Sequence, residues 1–275
     1  MDNPYLARYR REALRSAQLK QLEILKAIAA ICDKHGIDYW LDGGTLLGAV
    51  RHGGFIPWDD DIDISMRKAD LERFVQVAPA ELPRHLMLQT PETDPSMPVC
   101  EYKVRDLNSF YVEGTDNPGA PYQKGLFVDI FPFVNYPSVM HGLTKKVARG
   151  ICIANKVLHT PHYYSLYAVA QYGYFKAKYH LLKGIWALLQ PFCRKGDYTC
   201  SYPFYNWYGV VYRTADLFPL GTVDFEGHTF RAPGNKDAYL RSIYRDYMQL
   251  PPPEKRAVHS IFIAPQLVEE KGEKG

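Results

Sequence analysis

Residues 39–66 read YWLDGGTLLGAVRHGGFIPWDDDIDISM, and this stretch decides the fold. Residues Ile37–Leu41 have the composition of a short strand, and the glycines at positions 43 and 44 predict a turn. The segment Thr45–His52 is typical of a helix, with Thr45 as its N-cap. Residues Asp61–Met66 then alternate charged and apolar side chains, which is the period of a second strand. This succession of a strand, a turn, a helix and a strand favours an α/β unit.

Three aspartates in this stretch, Asp59, Asp61 and Asp63, lie two residues apart. On a strand, side chains at this spacing project from one face, so we expect the three carboxylates to lie side by side. Asp60 is then expected on the opposite face. Like charges repel one another, and a divalent cation offsets that repulsion. Clustered carboxylates suit Mg²⁺ or Mn²⁺, because hard cations prefer oxygen ligands.

A calcium loop of the EF-hand type also begins with alternating aspartates. Counted from Asp59, the sixth position is Ile64, where such a loop needs glycine. The twelfth position is Asp70, where glutamate is usual. Calcium is therefore a weaker interpretation than magnesium or manganese.

The glycine turn predicts a second part of the site. A strand that enters a glycine turn and then a helix directs backbone N–H groups at an anion. We therefore expect Gly43, Gly44 and Thr45 to hold a phosphate beside the metal. This combination is typical of enzymes that transfer a phosphorus centre, because metal ions neutralise the phosphates while the protein positions them.

Composition excludes several classes of protein. The chain has 275 residues, of which 47% are apolar and 23% charged, so we expect a globular protein rather than a disordered one. The net charge of +3 is too small to indicate nucleic-acid binding on charge alone. Five cysteines without a CxxC pair favour a reducing, cytoplasmic setting over a disulfide framework or a zinc site. With no apolar signal core at the N-terminus, we expect a soluble protein or one attached at a membrane surface.

Charge is distributed unevenly along the chain. Between Ile130 and Gly196 there are nine Lys or Arg residues and no Asp or Glu. Such a segment in an otherwise acidic chain indicates an anionic partner. We expect peripheral contact with the inner face of the cell membrane, with substrate phosphates as the alternative. Tyrosines in the range 163–212 suggest an aromatic cage for a quaternary ammonium, although such helices more often pack a core or lie at a membrane interface.

The string GTLLGAVRHGGFIPWDDDIDI, residues 44–64, closely resembles the LicD family, the phosphocholine transferases of bacterial surface glycans, which also includes fukutin-related enzymes. The family resembles nucleotidyltransferases in its fold. Weaker matches are KVRD at 103–106, GLFVDIFP at 125–132 and YRDYMQLPPPEKR at 244–256. The last match departs from the family pattern, since Arg245 stands where glycine is expected.

The resemblance implies a metal-dependent transfer of a phosphorylated alcohol, with phosphocholine as the first candidate. The donor would be CDP-activated, and the acceptor would be a sugar hydroxyl of a lipopolysaccharide, capsule or teichoic acid. CMP would leave. Two other functions stay open: a nucleotidyltransferase that passes NMP from an NTP to a small acceptor, and a non-catalytic module that binds a glycan or a nucleotide.

The same resemblance implies roles for four carboxylates. Asp61 and Asp63 are the best metal ligands and the catalytic carboxylates, and Asp59 is a further partner of the metal. Asp129 is expected as the carboxylate that such sites add from a later strand, where it holds metal or accepts the hydroxyl proton. The alternative for Asp129 is a carboxylate that caps a turn.

Basic residues receive less definite roles. Lys103 is expected to bind the donor phosphates, and Arg105 is expected to do so more weakly. His52 is expected to be structural. The sequence assigns no role to Arg256 or His259.

The predicted fold is α+β, with a nucleotidyltransferase-like mixed sheet as its core, flanking helices and a mainly helical segment that is basic and rich in aromatic residues. The expected divisions are an amphipathic helix at 1–36, the catalytic core at 37–135, the helical segment at 136–215, a hairpin and helix packing on the core at 216–265, and a disordered tail at 266–275. The other predicted elements are helices at Arg10–His35, Ala69–Ala78, within Ser138–Gln190 and at Lys236–Tyr247, strands at Leu86–Gln89, Glu101–Arg105 and Leu126–Phe131, and a hairpin at Val223–Arg231.

Overall fold

The computed structural model describes residues 4–97, 102–114, 116, 119–137, 139–159, 165–192, 196–201, 210–256 and 258–267. Its helices are α1 (Pro4–His35), α2 (Gly43–His52), α3 (Lys68–Glu81), α4 (His141–His159), α5 (Leu166–Leu189), α6 (Thr214–Leu217) and α7 (Lys236–Tyr244). Its strands are β1 (Trp40–Leu41), β2 (Asp63–Arg67), β3 (Leu86–Gln89), β4 (Lys103–Asp106), β5 (Phe110–Glu113), β6 (Phe127–Asn135), β7 (Tyr198–Ser201), β8 (Tyr212–Arg213), β9 (Gly221–Phe225), β10 (His228–Ala232) and β11 (Ser260–Ala264).

The main sheet is mixed and has the strand order β1-β2-β6-β4-β3, with β7 added on β6 and β8 on β7. Strands β2 and β6 are parallel, and the other pairs are antiparallel. β6 is the longest strand and pairs with β2, β4 and β7, so it is the centre of the sheet. The strand β11 returns from the end of the described chain to pair with β5. This architecture confirms the predicted α+β class.

The main hydrophobic core lies between the sheet and the helices α1, α2, α3 and α7. α1 contributes Leu22, Leu25 and Ile28 at three- and four-residue steps, as its periodicity predicts. Trp40 packs edge-on against Phe133 at a centroid distance of 5.0 Å, which joins two strands of the sheet. A separate cluster joins α4 and α5 to the edge of the sheet. None of the helices in the described ranges is long and apolar enough to cross a bilayer.

Several predicted elements are confirmed. Leu86–Gln89 is a strand with the predicted bounds, and helices occupy the segments predicted to be helical. The hairpin turns at Glu226 and Gly227, both with positive φ (52° and 75°), which is the conformation that closes a two-residue hairpin loop.

Three local predictions are wrong. The strand expected at Ile37–Leu41 covers only Trp40–Leu41. The strand expected at Asp61–Met66 begins only at Asp63, so Asp59 and Asp61 lie in the loop before it. The N-cap of α2 is Asp42 rather than Thr45, because the helix starts two residues earlier and the Asp42 carboxylate accepts a hydrogen bond from the amide of Gly43. Four strands were not predicted: β5, β7, β8 and β11.

Candidate active site

The sheet brings three charged side chains into one row. In the parallel pair of β2 and β6, Asp63 lies opposite Asp129. In the antiparallel pair of β6 and β4, Asp129 lies opposite Lys103. The ammonium of Lys103 is 2.6 Å from Oδ1 of Asp129, and both side chains are largely buried. The predicted pair of carboxylates from two strands is therefore adjacent in the structure.

The loop before β2 is held in place by two buried glutamines of α1. Nε2 of Gln18 donates to the carbonyl of Asp59 at 2.8 Å, and Nε2 of Gln21 donates to the carbonyl of Asp60 at 2.9 Å. These contacts fix the backbone of the acidic loop against α1 and hold it out of a strand conformation. Asp59 and Asp61 consequently meet Asp63 through the shape of the loop rather than through strand alternation.

The glycine turn of α2 packs directly on the carboxylates. A Cβ atom on Gly43 would lie 2.7 Å from Oδ2 of Asp63, and one on Gly44 would lie 2.7 Å from Oδ2 of Asp59. Gly43 also has a φ of 51°, in the region that favours glycine. The glycines therefore leave the room that the carboxylates occupy at the N-terminal end of the helix.

The buried carboxylate of Asp42 holds this turn in place through hydrogen bonds. This carboxylate accepts hydrogen bonds from the amide of Gly43 at 2.7 Å, from the hydroxyl of Tyr239 at 2.8 Å and from the hydroxyl of Ser65. Burial raises the pKa of Asp42 above its usual value, and the hydrogen bonds oppose that rise. Thr45 ties α2 to β2, because its hydroxyl accepts a hydrogen bond from the amide of Asp63 at 2.8 Å.

A cavity of about 300 Å³ opens at this point. Its walls combine carboxylates, the glycine turn and aromatic rings, so it offers both a charged and an apolar surface to a ligand. The lining residues are Asp42, Gly43, Gly44, Asp59, Asp61, Asp63, Phe131, Phe133, Ser201, Val210, Tyr212, Ile243, Tyr244 and His259.

The electrostatics of the carboxylates are dominated by burial and mutual repulsion. Burial, followed by the charge of Asp61, raises the pKa of Asp59 to about 8. Burial also raises the pKa of Asp61, and that of Asp63 lies well above its usual value because of burial and the charges of Asp61 and Asp129. The folded protein therefore disfavours the ionised forms of these groups unless a cation is added.

Asp60 and His259 form a second contact beside this cluster. The Asp60 carboxylate accepts hydrogen bonds from the amides of Ser260 at 2.6 Å and His259 at 3.3 Å, and Nδ1 of His259 lies 3.4 Å from it. Burial raises the pKa of Asp60, but these hydrogen bonds outweigh burial and hold it below its usual value. The hydrogen bond with Asp60 raises the pKa of His259 to about 9, so this imidazole is charged at neutral pH.

Asp60, Asp61 and His259 offer ligand atoms within 4.8 Å of one another. Asp60 is nevertheless committed to two backbone amides, and it does not line the cavity. His259 is already engaged with Asp60, with Nδ1 3.4 Å from that carboxylate, and an imidazole suits Mg²⁺ or Mn²⁺ less well than carboxylate oxygens do. Asp59, Asp61 and Asp63, which do line the cavity, are the better donor set.

These carboxylates fit a divalent cation. They provide hard oxygen donors in one cavity, and the pKa of each is raised above its usual value, chiefly by burial. The cationic groups that act on the cluster in the described structure, Lys103, His259 and Arg51, are outnumbered by its carboxylates: Asp42, Asp59, Asp60, Asp61, Asp63 and Asp129.

The remaining predicted residues lie at different distances from the cavity. Arg105 is buried on β4, where its guanidinium donates to the side chain of Gln89 and to the carbonyl of Gly125 at 2.7 Å. Arg105, Lys103 and Asp129 are not among the lining residues. Asp129 nevertheless lies opposite Asp63 on the neighbouring strand, and Lys103 acts electrostatically on Asp61. His52 packs edge-on against Trp58, as a structural role predicts.

Sequence reasoning missed Asp42, Tyr239 and His259. Aspartate is a preferred N-cap residue, so Asp42 could have been identified as the cap of α2 from its residue type. Threonine is preferred at the same position, so Thr45 was an equally good candidate. His259 has no such signal, because it reaches Asp60 from 199 residues away. The tyrosines at 163, 164, 202, 205 and 208, part of the suggested aromatic cage, lie outside the described residues, whereas Tyr212 lines the cavity.

Comparisons with known proteins agree with this site. A family model described as "LicD/FKTN/FKRP, nucleotidyltransferase domain" matches residues 36–166, which include the glycine turn, the acidic loop, Lys103 and Asp129. The human ribitol 5-phosphate transferase FKRP is 41% identical over 59 residues, which cover 22% of this chain and 12% of that protein. An uncharacterised protein of Rickettsia typhi is 40% identical over 79 residues, covering 29% of this chain and 25% of that protein.

One similarity extends over nearly the whole chain. The lipopolysaccharide cholinephosphotransferase LicD of Haemophilus influenzae is 32% identical over 275 residues, covering 90% of this chain and 96% of that protein. The matching domain model and this relative identify the same family. The acidic cavity beside the glycine turn is lined in large part by residues of the matched range. The chain belongs to the LicD family and is a phosphotransferase of the LicD type.

Proposed function

We propose that this enzyme transfers phosphocholine from a CDP-activated donor to a sugar hydroxyl of a cell-surface glycan, and that CMP is released. The observation that carries the proposal is the cluster of three carboxylates, Asp59, Asp61 and Asp63, that lines a cavity at the N-terminal turn of α2. The H. influenzae relative, which is named a lipopolysaccharide cholinephosphotransferase, supports this substrate class.

The metal in this proposal is Mg²⁺ or Mn²⁺, held by Asp59, Asp61 and Asp63, with Asp129 beside them on β6. When bound, such an ion neutralises phosphate charge on the donor. The positive end of the α2 dipole, at Gly43 and Gly44, attracts the same phosphates and holds them in the cavity.

Asp129 is the proposed acceptor for the proton of the sugar hydroxyl. Its ion pair with Lys103 favours the ionised carboxylate, and only an ionised carboxylate can take up a proton. Lys103 then acts as a positioning residue rather than as a direct partner of the donor phosphates. His259 adds a positive charge next to Asp61 at the cavity wall, where Nδ1 lies 3.6 Å from Oδ2 of Asp61.

The aromatic part of the cavity supports phosphocholine as the transferred group. Phe131, Tyr212 and Tyr244 line the same cavity as the carboxylates. A quaternary ammonium gains about 0.5–2 kcal/mol from each aromatic face that it contacts, whereas a polyol such as ribitol gains no cation–π energy. Tyr212 is held by stacking on Tyr239 at a centroid distance of 4.2 Å, so its ring is preorganised.

A panel of donors tests the proposal. The purified protein is incubated with Mg²⁺, a lipopolysaccharide or related glycan acceptor, and CDP-choline, CDP-ethanolamine, CDP-glycerol or CDP-ribitol, and CMP is measured. We expect CMP release to be fastest with CDP-choline and to depend on the acceptor. Release of pyrophosphate from an NTP instead of CMP from a CDP-alcohol would identify the enzyme as a nucleotidyltransferase.

We also propose a cytoplasmic location for the reaction. Cys32, Cys152 and Cys200 are buried thiols, as expected for a chain that folds in a reducing compartment. Cys100 and Cys193 lie outside the described residues. Blocking of all five thiols by a reagent after denaturation of freshly isolated protein, without prior reduction, would support this location, and a disulfide would contradict it.

A further inference from the structure

The outward side of α5 carries a line of residues with no charge. We call it the outer stripe, and it consists of Leu166, Ala170, Gly173, Ala177, Leu181, Gly184 and Leu188. These residues follow one another at steps of three or four, so they share one face of the helix. All seven are exposed, and the leucines at 166, 181 and 188 are 92%, 65% and 72% exposed.

The opposite side of α5 is packed normally. Trp186 is buried against Tyr136, and Leu182 lies so close to Gly150 of α4 that a Cβ there would be 2.6 Å from its Cδ1. The orientation of α5 is therefore fixed by its inner face. The exposed outer stripe is a consequence of that packing and has no partner within the described chain.

The outer stripe is accompanied by cations. Lys176 and Lys183 follow one flank of the helix, and Lys178 lies on the other. α4 adds four exposed cations: Lys145, Lys146, Arg149 and Lys156. The interval from 130 to 196 contains no Asp or Glu, and its Arg194 and Lys195 lie outside the described residues.

This charge selects among the possible occupants of the outer stripe. A second copy of the same helical hairpin would bring two acid-free basic surfaces together, and such like-charge contacts are unfavourable. An anionic bilayer offers an apolar layer in which the leucines can be buried. It also offers negatively charged headgroups that attract the lysines. Long lysine side chains can extend from a helix in the headgroup layer towards the phosphates.

We propose that α5 is an interfacial helix that lies along an anionic lipid surface, with its outer stripe in the headgroup layer and the lysines of α4 and α5 facing the lipid phosphates. The proposal does not depend on the chemistry at the active site. The aromatics Tyr167 and Tyr174, also exposed on α5, suit the same layer. Tyr163 and Tyr164, expected to take part, lie outside the described residues.

Vesicle sedimentation with the full chain tests the proposal. We expect binding to vesicles of phosphatidylcholine and phosphatidylglycerol at low salt, a steep loss of binding with added NaCl, and weak binding to phosphatidylcholine alone. The variant Lys145→Gln/Lys146→Gln/Arg149→Gln should bind anionic vesicles about tenfold or more weakly. The control Lys34→Gln/Lys68→Gln/Lys255→Gln removes the same charge from other exposed sites and should bind like wild type.

A second variant tests the outer stripe itself. Leu181→Gln/Leu188→Gln changes two exposed side chains, so the fold should be retained while vesicle binding falls about tenfold or more. Leu19→Gln/Leu107→Gln is the matched control at exposed positions elsewhere. Absence of binding to anionic vesicles at low salt would overturn the proposal. So would a dimer in lipid-free buffer that dissociates in the Leu181→Gln/Leu188→Gln variant.

Discussion

Nζ of Lys103 lies 2.6 Å from Oδ1 of Asp129, and the two residues face each other across neighbouring strands of the sheet. The ammonium is nearly buried, and on the far side of Asp129 the next strand presents another carboxylate, Asp63. The lysine therefore neutralises one member of a row of like charges. Removing one partner of a buried ion pair costs more than removing both, because the remaining charge is left without a counterion.

Replacement of Lys103 by methionine should reduce the free energy of unfolding by about 3 kcal/mol. The physical reason is that Asp129 and Asp63 would then repel each other in a buried site. Asp129→Asn should also destabilise the protein, and the double variant Lys103→Met/Asp129→Asn should lose less than the sum of the two. Urea unfolding of wild type, the two single variants and the double variant, all in EDTA, gives a double-mutant cycle. Additive losses would show that the pair is not coupled.

The variant Asp63→Asn should lose activity by about 100-fold or more, because a proposed metal ligand is removed. Its stability in EDTA should match or exceed that of wild type, since burial and neighbouring charges disfavour ionised Asp63 in the fold. CMP release and thermal unfolding measure the two effects, and the exposed Asp224→Asn is the control. Added Mg²⁺ should raise the unfolding temperature of wild type more than that of the variant. Full turnover by Asp63→Asn would contradict the ligand assignment.

The variant Gly44→Ala should reduce turnover while leaving α2 folded. The new methyl group would lie 2.7 Å from Oδ2 of Asp59, so the carboxylate would have to move out of the cavity wall. Alanine itself is a better helix former than glycine by about 1 kcal/mol. Gly142→Ala in α4, where a Cβ meets nothing within 4 Å, should leave turnover unchanged. Equal activity of the two variants would show that the close approach of Gly44 to Asp59 is not needed for turnover.

Glu226, in the turn between β9 and β10, should make the stability of the protein depend on pH. Glu226 accepts hydrogen bonds from Arg15 and from the amide of Phe55, and its pKa is lowered, chiefly by the hydrogen bond from Arg15. A carboxyl with a lowered pKa in the fold stabilises the protein above its unfolded pKa, and this contribution disappears as the pH falls through the folded pKa. Glu226→Gln should therefore cost about 1–2 kcal/mol at pH 7 and progressively less below pH about 4.5. A pH-independent difference between the two proteins would contradict this account.

Arg245 offers a stabilising substitution. It ends α7 with φ 57° and ψ −99°, a conformation that favours glycine. The Arg245 side chain is exposed. Arg245→Gly should therefore raise the free energy of unfolding by about 1 kcal/mol, as measured by urea unfolding. A lower stability would mean that the arginine side chain contributes more than its backbone strain costs.

The sequence predicted the elements whose pattern is local. The core face of α1, the strand Leu86–Gln89 and the Glu226-Gly227 hairpin depend on periodicity and turn chemistry, and each is present. The carboxylates meet as predicted, but for a different reason. Gln18 and Gln21 of α1 hold the acidic loop, and no local pattern encodes a hydrogen bond between segments some 40 residues apart.

Caps and distant partners show the same limit. Asp42 and Thr45 are equally good N-caps by residue type, and the choice between them is decided by Tyr239, whose hydroxyl donates to Asp42 from 197 residues away. The strands β5 and β11 escape prediction because each is stabilised by the other, across a separation of about 150 residues. Contacts of this kind become visible only when the chain is folded.

The hydrogen bonds from His259 and Ser260 to Asp60 have a consequence for the order of events during synthesis. Asp60 is translated early, yet the backbone amides that satisfy its buried carboxylate belong to residues 259 and 260. Closing a loop of this length is entropically costly, and contacts so distant in sequence form late. A nascent chain that has reached only α7 therefore carries Asp60 without these two hydrogen-bond donors. The ribosome must add β11 before the Asp60 carboxylate can reach its final hydrogen-bonded state beside the candidate active site.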